Sequence, residues 1–470
     1  MKSSTSPADA PVHGGMLGAA SPLLIFFLTI VGFSILGIRG TKSYWAAGVV
    51  AMTFSFFLFK DKDVFQSAVV AGIKDDIFIL STLALLFAGI LSKILAAGHL
   101  VDGLTWAASE FQLSPRIMPL ATFLVSSVIA TASGTSAGTV ATVAPIMLPL
   151  GTSMGCPLEM ICGAVISGAY FGDNLAPVSD TTIASALTQQ VSLAKVVKDR
   201  MKYSLIAGTF ASIMFGISGF QSITGTSSAE ISVSGSQYAG NIIYIILPAM
   251  VVFLMISGKN LLTSLLMTDL TGLIMLSVMG LGTYREFFSA NGLIVAGIEG
   301  MQGAIILMMF AFIVNSLTRA AGFMDTMINA VQAKATTPKS AEVAVGAFIS
   351  ILMAATGGNT ASIAVTGPLA RRLMKPFRVA RVRTANLLAG ISSGIGGFVP
   401  YSPANAALSS LAISLGVTDN IGFSSFNYAG YVFDCLALIV IYWGAIFTGW
   451  GMRIETKEEL KADGINFDEE

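Results

Sequence analysis

The chain has 470 residues, 54% of them hydrophobic and only 11% charged, with a mean hydropathy of +0.78. That is the composition of a membrane protein. Lysine plus arginine (26) balances aspartate plus glutamate (26), so there is no basic excess to hold nucleic acid.

A short polar tail (1–19) precedes the first apolar run, which is too long for a signal-peptide core and lacks a clean cleavage site; it reads as a retained first span. Apolar windows at 21–38, 77–92, 203–222, 242–257, 302–318 and 436–450 approach the ~20 residues that a crossing helix needs. Cys156, Cys162 and Cys435 lack metal spacing and read as small buried hydrophobes, and His13 and His99 are too far apart for a metal site. No phosphate-binding glycine loop and no catalytic constellation occurs, which points away from an ATP-driven pump or an enzyme and leaves an ion gradient as the energy source. No cofactor is expected beyond Na⁺ and H⁺ as transported ions.

The second half echoes the first. "VVAGIKDD" at 69–76 returns as "IVAGIEGM" at 294–301, an offset of 225, and "AAG" at 96–98 returns at 320–322, an offset of 224. Pro145, Pro177 and Ser179 return as Pro368, Pro400 and Ser402, all offset by 223. Segment 371–383 holds six bases where its counterpart 148–160 holds none, and 195–202 holds Lys195, Lys198, Arg200 and Lys202 where 418–425 holds none. Basic loops stay cytoplasmic, so the copies lie with opposite sense.

The predicted fold is therefore an all-α polytopic membrane protein, an inverted repeat of five spans each. It has about ten transmembrane helices, two re-entrant hairpins (117–147 and 341–370) and two broken helices (160–188 and 384–415). The organisation is a cytoplasmic tail (1–19), a first repeat (20–222), an extracytoplasmic loop (223–240), a second repeat (241–450) and a cytoplasmic tail (451–470). Arg39 and Lys42 fall on the outer side and have no explanation in this threading. Lys93 and Arg319 read as snorkelling span ends, and Arg371 to Arg383 as a topology determinant that also meets lipid.

Backbone is broken at bilayer depth in four places. The hairpins carry "ASGTSAGT" (132–139) and "ATGGNTAS" (355–362), with Gly134, Thr135, Ser136, Gly357, Gly358, Asn359 and Thr360 at their tips. The crossings carry "FGDNLAPVSDT" (171–181) and "GGFVPYSPAN" (396–405), with Pro177, Pro400, Ser402 and Asn405. Such breaks persist only where protein buries them or they line a wet cavity, and helix ends and freed carbonyls there can bind ions. Glycine can also serve close helix packing, but packing requires neither matched prolines nor Asn and Asp.

Asp173 and Asp180 answer to Gly396 and Pro403 in the second copy, so one half supplies the charge. A carboxylate at that depth is costly unless it is paired, hydrated, protonated or bound to a cation. A group that holds either H⁺ or Na⁺ enforces exchange, with Asn174, Ser179, Thr181 and Thr182 as neutral oxygen ligands for a Na⁺ centred on Asp180. Helix capping is the plainer role for Asp180. Asp269 and Asp434 are secondary acids that either line a pathway or pair with a base, and Asp75, Asp76 and Glu299 read as interfacial.

"GAVISGAYFGDNLAPVSDTT" (163–182), with "SGTSAGTVATVAP" (133–145) upstream, resembles the signature of the NhaC-type sodium/proton antiporter family. The resemblance implies Na⁺/H⁺ exchange with Asp173 and Asp180 as the motif's acids, and an elevator-type motion of hairpins and broken helices against a scaffold. It also admits amino acids and organic acids as cargo, and the second half departs from it at "VPYSPANAA" (399–407) and at "RVRTANLLAG" (381–390), which has no acid.

Three functions follow. The first is a cation/proton antiporter. The second is Na⁺- or H⁺-coupled carriage of an amino acid or small organic acid, for which Asn359, Thr360, Tyr401 and Asn405 would be donors. The third, a membrane scaffold or sensor, explains neither the paired breaks nor the buried acids. The expected setting is a bacterial inner membrane with both termini cytoplasmic, the lipid bilayer as partner and a homodimer as assembly.

Overall fold

The computed structural model describes residues 11–36, 44–111, 114–177, 179–222, 236–323 and 336–456. Expectations about Arg39, Lys42, most of the 223–240 loop and the distal tails (1–10 and 457–470) lie outside these residues. Among the described residues every regular element is helical, apart from two isolated bridges, Val12 with Phe59 and Val379 with Ile454.

The first half contains α1 (Gly15–Ile35), α2 (Tyr44–Leu58), α3 (Lys62–Ile73), α4 (Asp76–Ala97), α5 (Leu100–Glu110), α6 (Met118–Ser133), α7 (Ser136–Ser153), α8 (Leu158–Leu175), α9 (Asp180–Gln189) and α10 (Leu193–Ser222). The second contains α11 (Ile246–Ile256), α12 (Leu261–Val278), α13 (Leu293–Ala320), α14 (Pro338–Thr356), α15 (Asn359–Met374), α16 (Arg381–Gly396), α17 (Pro403–Ser414) and α18 (Phe433–Thr448). Both expected hairpins form, as α6–α7 and α14–α15, and both expected breaks form, between α8 and α9 and between α16 and α17.

The copies agree in local detail. Gly134 and Gly357 end α6 and α14 at φ 67° and 65°, a left-handed conformation that favours glycine. Ser133 faces Thr139 at 3.4 Å across the first tip, and Thr356 faces Ser362 at 2.8 Å across the second, the same pair 223 residues on. Ser179 and Ser402, also 223 apart, are the N-caps of α9 and α17.

Packing divides the helices into two groups. α4 and α13 lie against each other, flanked by α1, α2, α3 and α12. In the other group α8 and α16 are buried almost end to end, with the hairpins, α10 and α18 around them. Small residues permit this: Gly168 and Gly172 of α8 lie on the α6 backbone at Phe123 and Ser127, where any Cβ would collide. Each hairpin closes on the other copy's broken helix, α7 along α17 and α15 along α9.

Seven helices among the described residues are long and apolar enough to cross a bilayer, and eight if the bent segments Ser425–Tyr431 and Phe433–Thr448 count as one span. Ten crossings were the expectation. The difference is physical: α2 has only 15 residues, α8 and α16 are interrupted, and two of the seven, Pro115–Ser133 and Pro338–Thr356, are hairpin limbs.

Several charges are not where a loop would leave them. α10 starts at Leu193 and runs through the basic cluster, so Arg200 is fully buried inside a helix. Arg383 is buried and makes a two-pronged pair with Glu342 (3.0 and 3.2 Å), and it also donates to the Tyr203 hydroxyl (2.8 Å) and the Trp450 carbonyl (3.0 Å). Arg381 pairs with Glu455 at 3.0 Å and donates to the Gln190 carbonyl. These two arginines hold helix ends together rather than meeting lipid. Lys93 does not snorkel either; its Nζ donates to the Ser414 carbonyl at 2.6 Å and caps the C-terminus of α17. Glu299 is exposed, as an interfacial acid would be, but it lies within the continuous α13 and not in a separate piece.

Glu342 is fully buried beside Arg383. Arg383→Ala strands that charge and should cost ~3–5 kcal/mol, whereas Arg383→Met with Glu342→Gln should cost clearly less; thermal unfolding of the purified protein in detergent distinguishes them.

Candidate ion-binding site

The four breaks converge on one cavity of about 120 Å³. Its walls come from both hairpin tips (Gly134, Thr135, Ser136; Gly357, Gly358, Asn359, Thr360), from the first break (Asp173, Ser179, Asp180, Thr181) and from the start of α17 (Pro403, Ala404), with Ser81 of α4 and Tyr170 of α8 completing it. α7, α9, α15 and α17 all begin at this cavity. Four helix N-termini therefore point at one small space, and each favours negative charge there.

The two acids stand at different depths. Asp173, on the last turn of α8, is 4% exposed and lies close enough to Asp180 and to the Arg200 guanidinium for their charges to be felt. The Ser179 and Ser136 hydroxyls approach its carboxylate, yet among the described residues its Oδ1 has no hydrogen-bond partner. Asp180, the first residue of α9, is exposed at the cavity. Ser179 takes the capping role at α9, accepting from the Thr181 amide at 3.3 Å and sharing a hydrogen bond with its hydroxyl at 2.8 Å. Asp180 is thus free of the N-cap position, and the deeper acid is Asp173.

Other predicted site residues are turned to structural use. The Asn174 side chain donates to Ser204 at 2.9 Å, away from the cavity, and its carbonyl accepts from Arg200 at 2.9 Å. Thr182 also accepts from Arg200, at 2.8 Å. Asn405 spends its amide on the freed carbonyls of Gly396, Gly397 and Val399 (2.8–3.1 Å) and accepts from the Tyr428 hydroxyl. Ser402 binds the Gly396 carbonyl, and Tyr401 donates to the Ala354 carbonyl. Pro177 and Pro400 lie in the breaks but do not line the cavity. Of the donors expected to favour a solute, Asn359 and Thr360 remain, and Asn359 Oδ1 has no partner among the described residues.

Asp269 and Asp434 lie elsewhere. Both are buried, and among the described residues neither carboxyl group has a hydrogen-bond partner or an ion pair; Asp269 sits in α12 against α4, and Asp434 in the first turn of α18. All three cysteines are buried and free, and among the described residues no group of three His, Cys, Asp or Glu could hold a metal.

Arg200 is the residue that sequence reasoning misplaced. It binds the Asn174 carbonyl, Thr182, Ser185 (3.3 Å) and Asn386 (2.9 Å), joining α8, α9, α10 and α16 at the first break. A signal was present: Val196, Arg200, Tyr203, Ala207, Ala211 and Phe215 recur at helical spacing and are all buried, so Arg200 lies on the inward stripe of one long helix.

A model of the Na⁺/H⁺ antiporter family matches residues 10–220 and 225–445, and the gap between the two segments falls at the end of α10. The chain is 24% identical over 400 residues to the Na⁺/H⁺ antiporter NhaC of Alkalihalophilus pseudofirmus, covering 81% of this chain and 86% of that one. It is 25% identical over 334 residues to the malate-2H⁺/Na⁺-lactate antiporter of Bacillus subtilis (66% and 70%). To the arginine/ornithine antiporter ArcD of Halobacterium salinarum it is 23% identical over 374 residues (74% and 75%).

Replacing Arg200 by Met leaves the Asn174 carbonyl and Thr182 without this donor, at about 1–3 kcal/mol for each buried orphan. A lower melting temperature in detergent is expected, with Arg200→Lys between the two because an ammonium cannot span all four partners.

Proposed function

Because the chain belongs to the Na⁺/H⁺ antiporter family, we propose that it exchanges Na⁺ for H⁺ through the cavity between its hairpin tips, with Asp173 and Asp180 holding one ion or the other. The coarse activity, secondary antiport by a multi-pass membrane protein, comes with that membership. What carries the finer reading is Asp173: a carboxyl group 4% exposed, with one oxygen unpartnered among the described residues, lining a cavity of about 120 Å³.

Two nearby carboxylates repel, and the four helix N-termini around them offset that repulsion, so both can ionise and present oxygens to a hard cation. Thr135, Ser136, Ser179 and Thr181 supply neutral oxygens. Asp180, nearer the surface, receives the ion, and Asp173 is the deeper group at which a proton displaces it. An empty site with both acids ionised is the costly state. Exchange is then enforced if the empty site does not reorient. The setting is a bacterial inner membrane with both termini cytoplasmic.

A second reading draws on the same helix ends. When the acids are protonated, four positive helix termini face a cavity that holds Asn359 and Thr360, and a small carboxylate suits that field. Two of the relatives are named for organic-acid or amino-acid exchange.

The deciding experiment uses sealed proteoliposomes with an internal pH dye, an imposed Na⁺ gradient and no organic solute. Sodium-driven proton movement, abolished in Asp173→Asn and reduced at least tenfold in Asp180→Asn, is the expected result. Movement that starts only after malate, lactate or an amino acid is added would overturn the ion-exchange reading in favour of the solute one. The same assay tests competition: with one proton displacing one cation, the Na⁺ concentration for half-maximal rate should rise by up to about tenfold per pH unit as the pH falls, and a pH-independent value would contradict a shared site.

A further inference from the structure

A second cavity, of about 520 Å³, opens where α10 and α16 begin and the chain after α18 returns to them. The returning chain is fixed in place: the Ala380 amide donates to the Arg453 carbonyl and the Glu455 amide to the Arg378 carbonyl, both at 2.8 Å, around the bridge of Val379 with Ile454. The cavity shares no lining residue with the ion cavity and is on the scale of pockets that hold whole small molecules, roughly 300–1,000 Å³.

Its wall is basic. Lys195, Lys198 and Lys202 come from α10, Arg383 from α16 and Arg453 from the returning chain, against the carboxylates of Asp199 and Glu455. Both carboxylates are already engaged. Asp199 accepts from the Lys202 ammonium at 2.5 Å and the Asn386 amide at 3.0 Å, and Glu455 from the backbone amide and guanidinium of Arg381 at 3.2 and 3.0 Å. Arg381 and Glu342 pair with wall residues from behind and cancel each other, so five bases against two acids leave the wall three positive charges in excess. Arg383 is buried at the back, whereas Lys195, Lys198 and Arg453 are exposed.

Local physics disfavours this arrangement. Lys195 stands in the first turn of α10, and Arg381 and Arg383 in that of α16, and neither turn contains an acid, although a helix N-terminus is itself a positive end. The preference of basic segments for one side of a membrane accounts for bases on this face. It does not account for three separate segments bringing them to one concavity. An anion seated among them offsets both their mutual repulsion and the helix field. Depth indicates the kind of anion. On α10 a stripe of exposed apolar residues runs from Met201 through Leu205, Ile206 and Phe210. Lys198 precedes Leu205 by two turns, about 10 Å along the axis, which sets the bases beside a lipid-facing stripe at the level of headgroups.

We infer that this cavity binds a phosphate group, with Lys195, Lys198 and Arg453 as its ligands and the rest of the wall as its field. The headgroup of an anionic phospholipid and free phosphate share that chemistry. The inference holds whichever ion or solute is exchanged at the other cavity.

Thermal unfolding of the purified full-length protein in a neutral detergent tests it, with dioleoylphosphatidylglycerol, dioleoylphosphatidylcholine or inorganic phosphate added in increasing amounts. A rise in melting temperature that saturates with phosphatidylglycerol and is absent with the zwitterionic phosphatidylcholine is the expected result. Lys195→Gln with Lys198→Gln should raise the half-saturating concentration at least tenfold, whereas Lys60→Gln with Lys74→Gln, exposed bases at the two ends of α3, should leave it unchanged. Saturation by inorganic phosphate instead, with the same loss in the Lys195/Lys198 variant, supports the site and assigns it to a soluble phosphate. No saturable rise, an equal rise with phosphatidylcholine, or equal affinity in the two double variants overturns the proposal. So does a rise that emerges only after removal of 457–470, which holds six acids and two bases, because the occupant is then the chain's own acidic segment.

Discussion

Backbone cannot be interrupted inside a bilayer unless something satisfies the amides and carbonyls that the interruption releases. Four interruptions of helices meet at one cavity of this protein, and the rest of the fold provides for them. The two copies solve the problem differently. At the second break one side chain suffices, because Asn405 folds back onto three carbonyls of its own segment. At the first break the donor comes from outside: Arg200 reaches from α10 to the Asn174 carbonyl and to Thr182 and Ser185. The copy that carries the two cavity acids is thus also the copy whose break is held by a buried cation.

That asymmetry organises the electrostatics. Four helix N-termini at one cavity would make it strongly favourable for anions, and Asp173 and Asp180 place their carboxyl groups in it. Arg200 stands one helix layer behind, bound to the Asn174 carbonyl, Thr182 and Ser185. In the proposed exchange, a single proton or a single cation tips that balance. A site with no helix ends would hold such acids only in neutral form; one with no acids would hold only anions.

Farther from the cavity, charge serves cohesion. Arg383 with Glu342 and Arg381 with Glu455 tie the start of α16 to α14 and to the chain after α18, while Lys93 caps α17 across the junction between the two helix groups. The pairs are buried and supplied with further partners, Tyr203 and the Trp450 and Gln190 carbonyls, which is the condition under which burying an ion pair is tolerated.

Much of this was legible in the chain. Glycine and proline at matched positions mark the hairpin tips and breaks to within a few residues, because only a few residue types permit left-handed turns and interrupted helices. The repeat offset of 223 reappears as the spacing of Gly134 from Gly357 and of Ser179 from Ser402. Asp173 and Asp180 stood out because charge is costly in an apolar run. Tertiary structure alone decided which polar groups face the cavity and which are consumed by it. Asn174, Thr182, Tyr401 and Asn405 look like ligands in sequence, but their hydrogen bonds go to backbone, to Arg200 and to neighbouring helices. Bases counted as loop charges became buried partners for the same reason. A local pattern states that a polar group must be satisfied, and only the packing of distant segments determines by what.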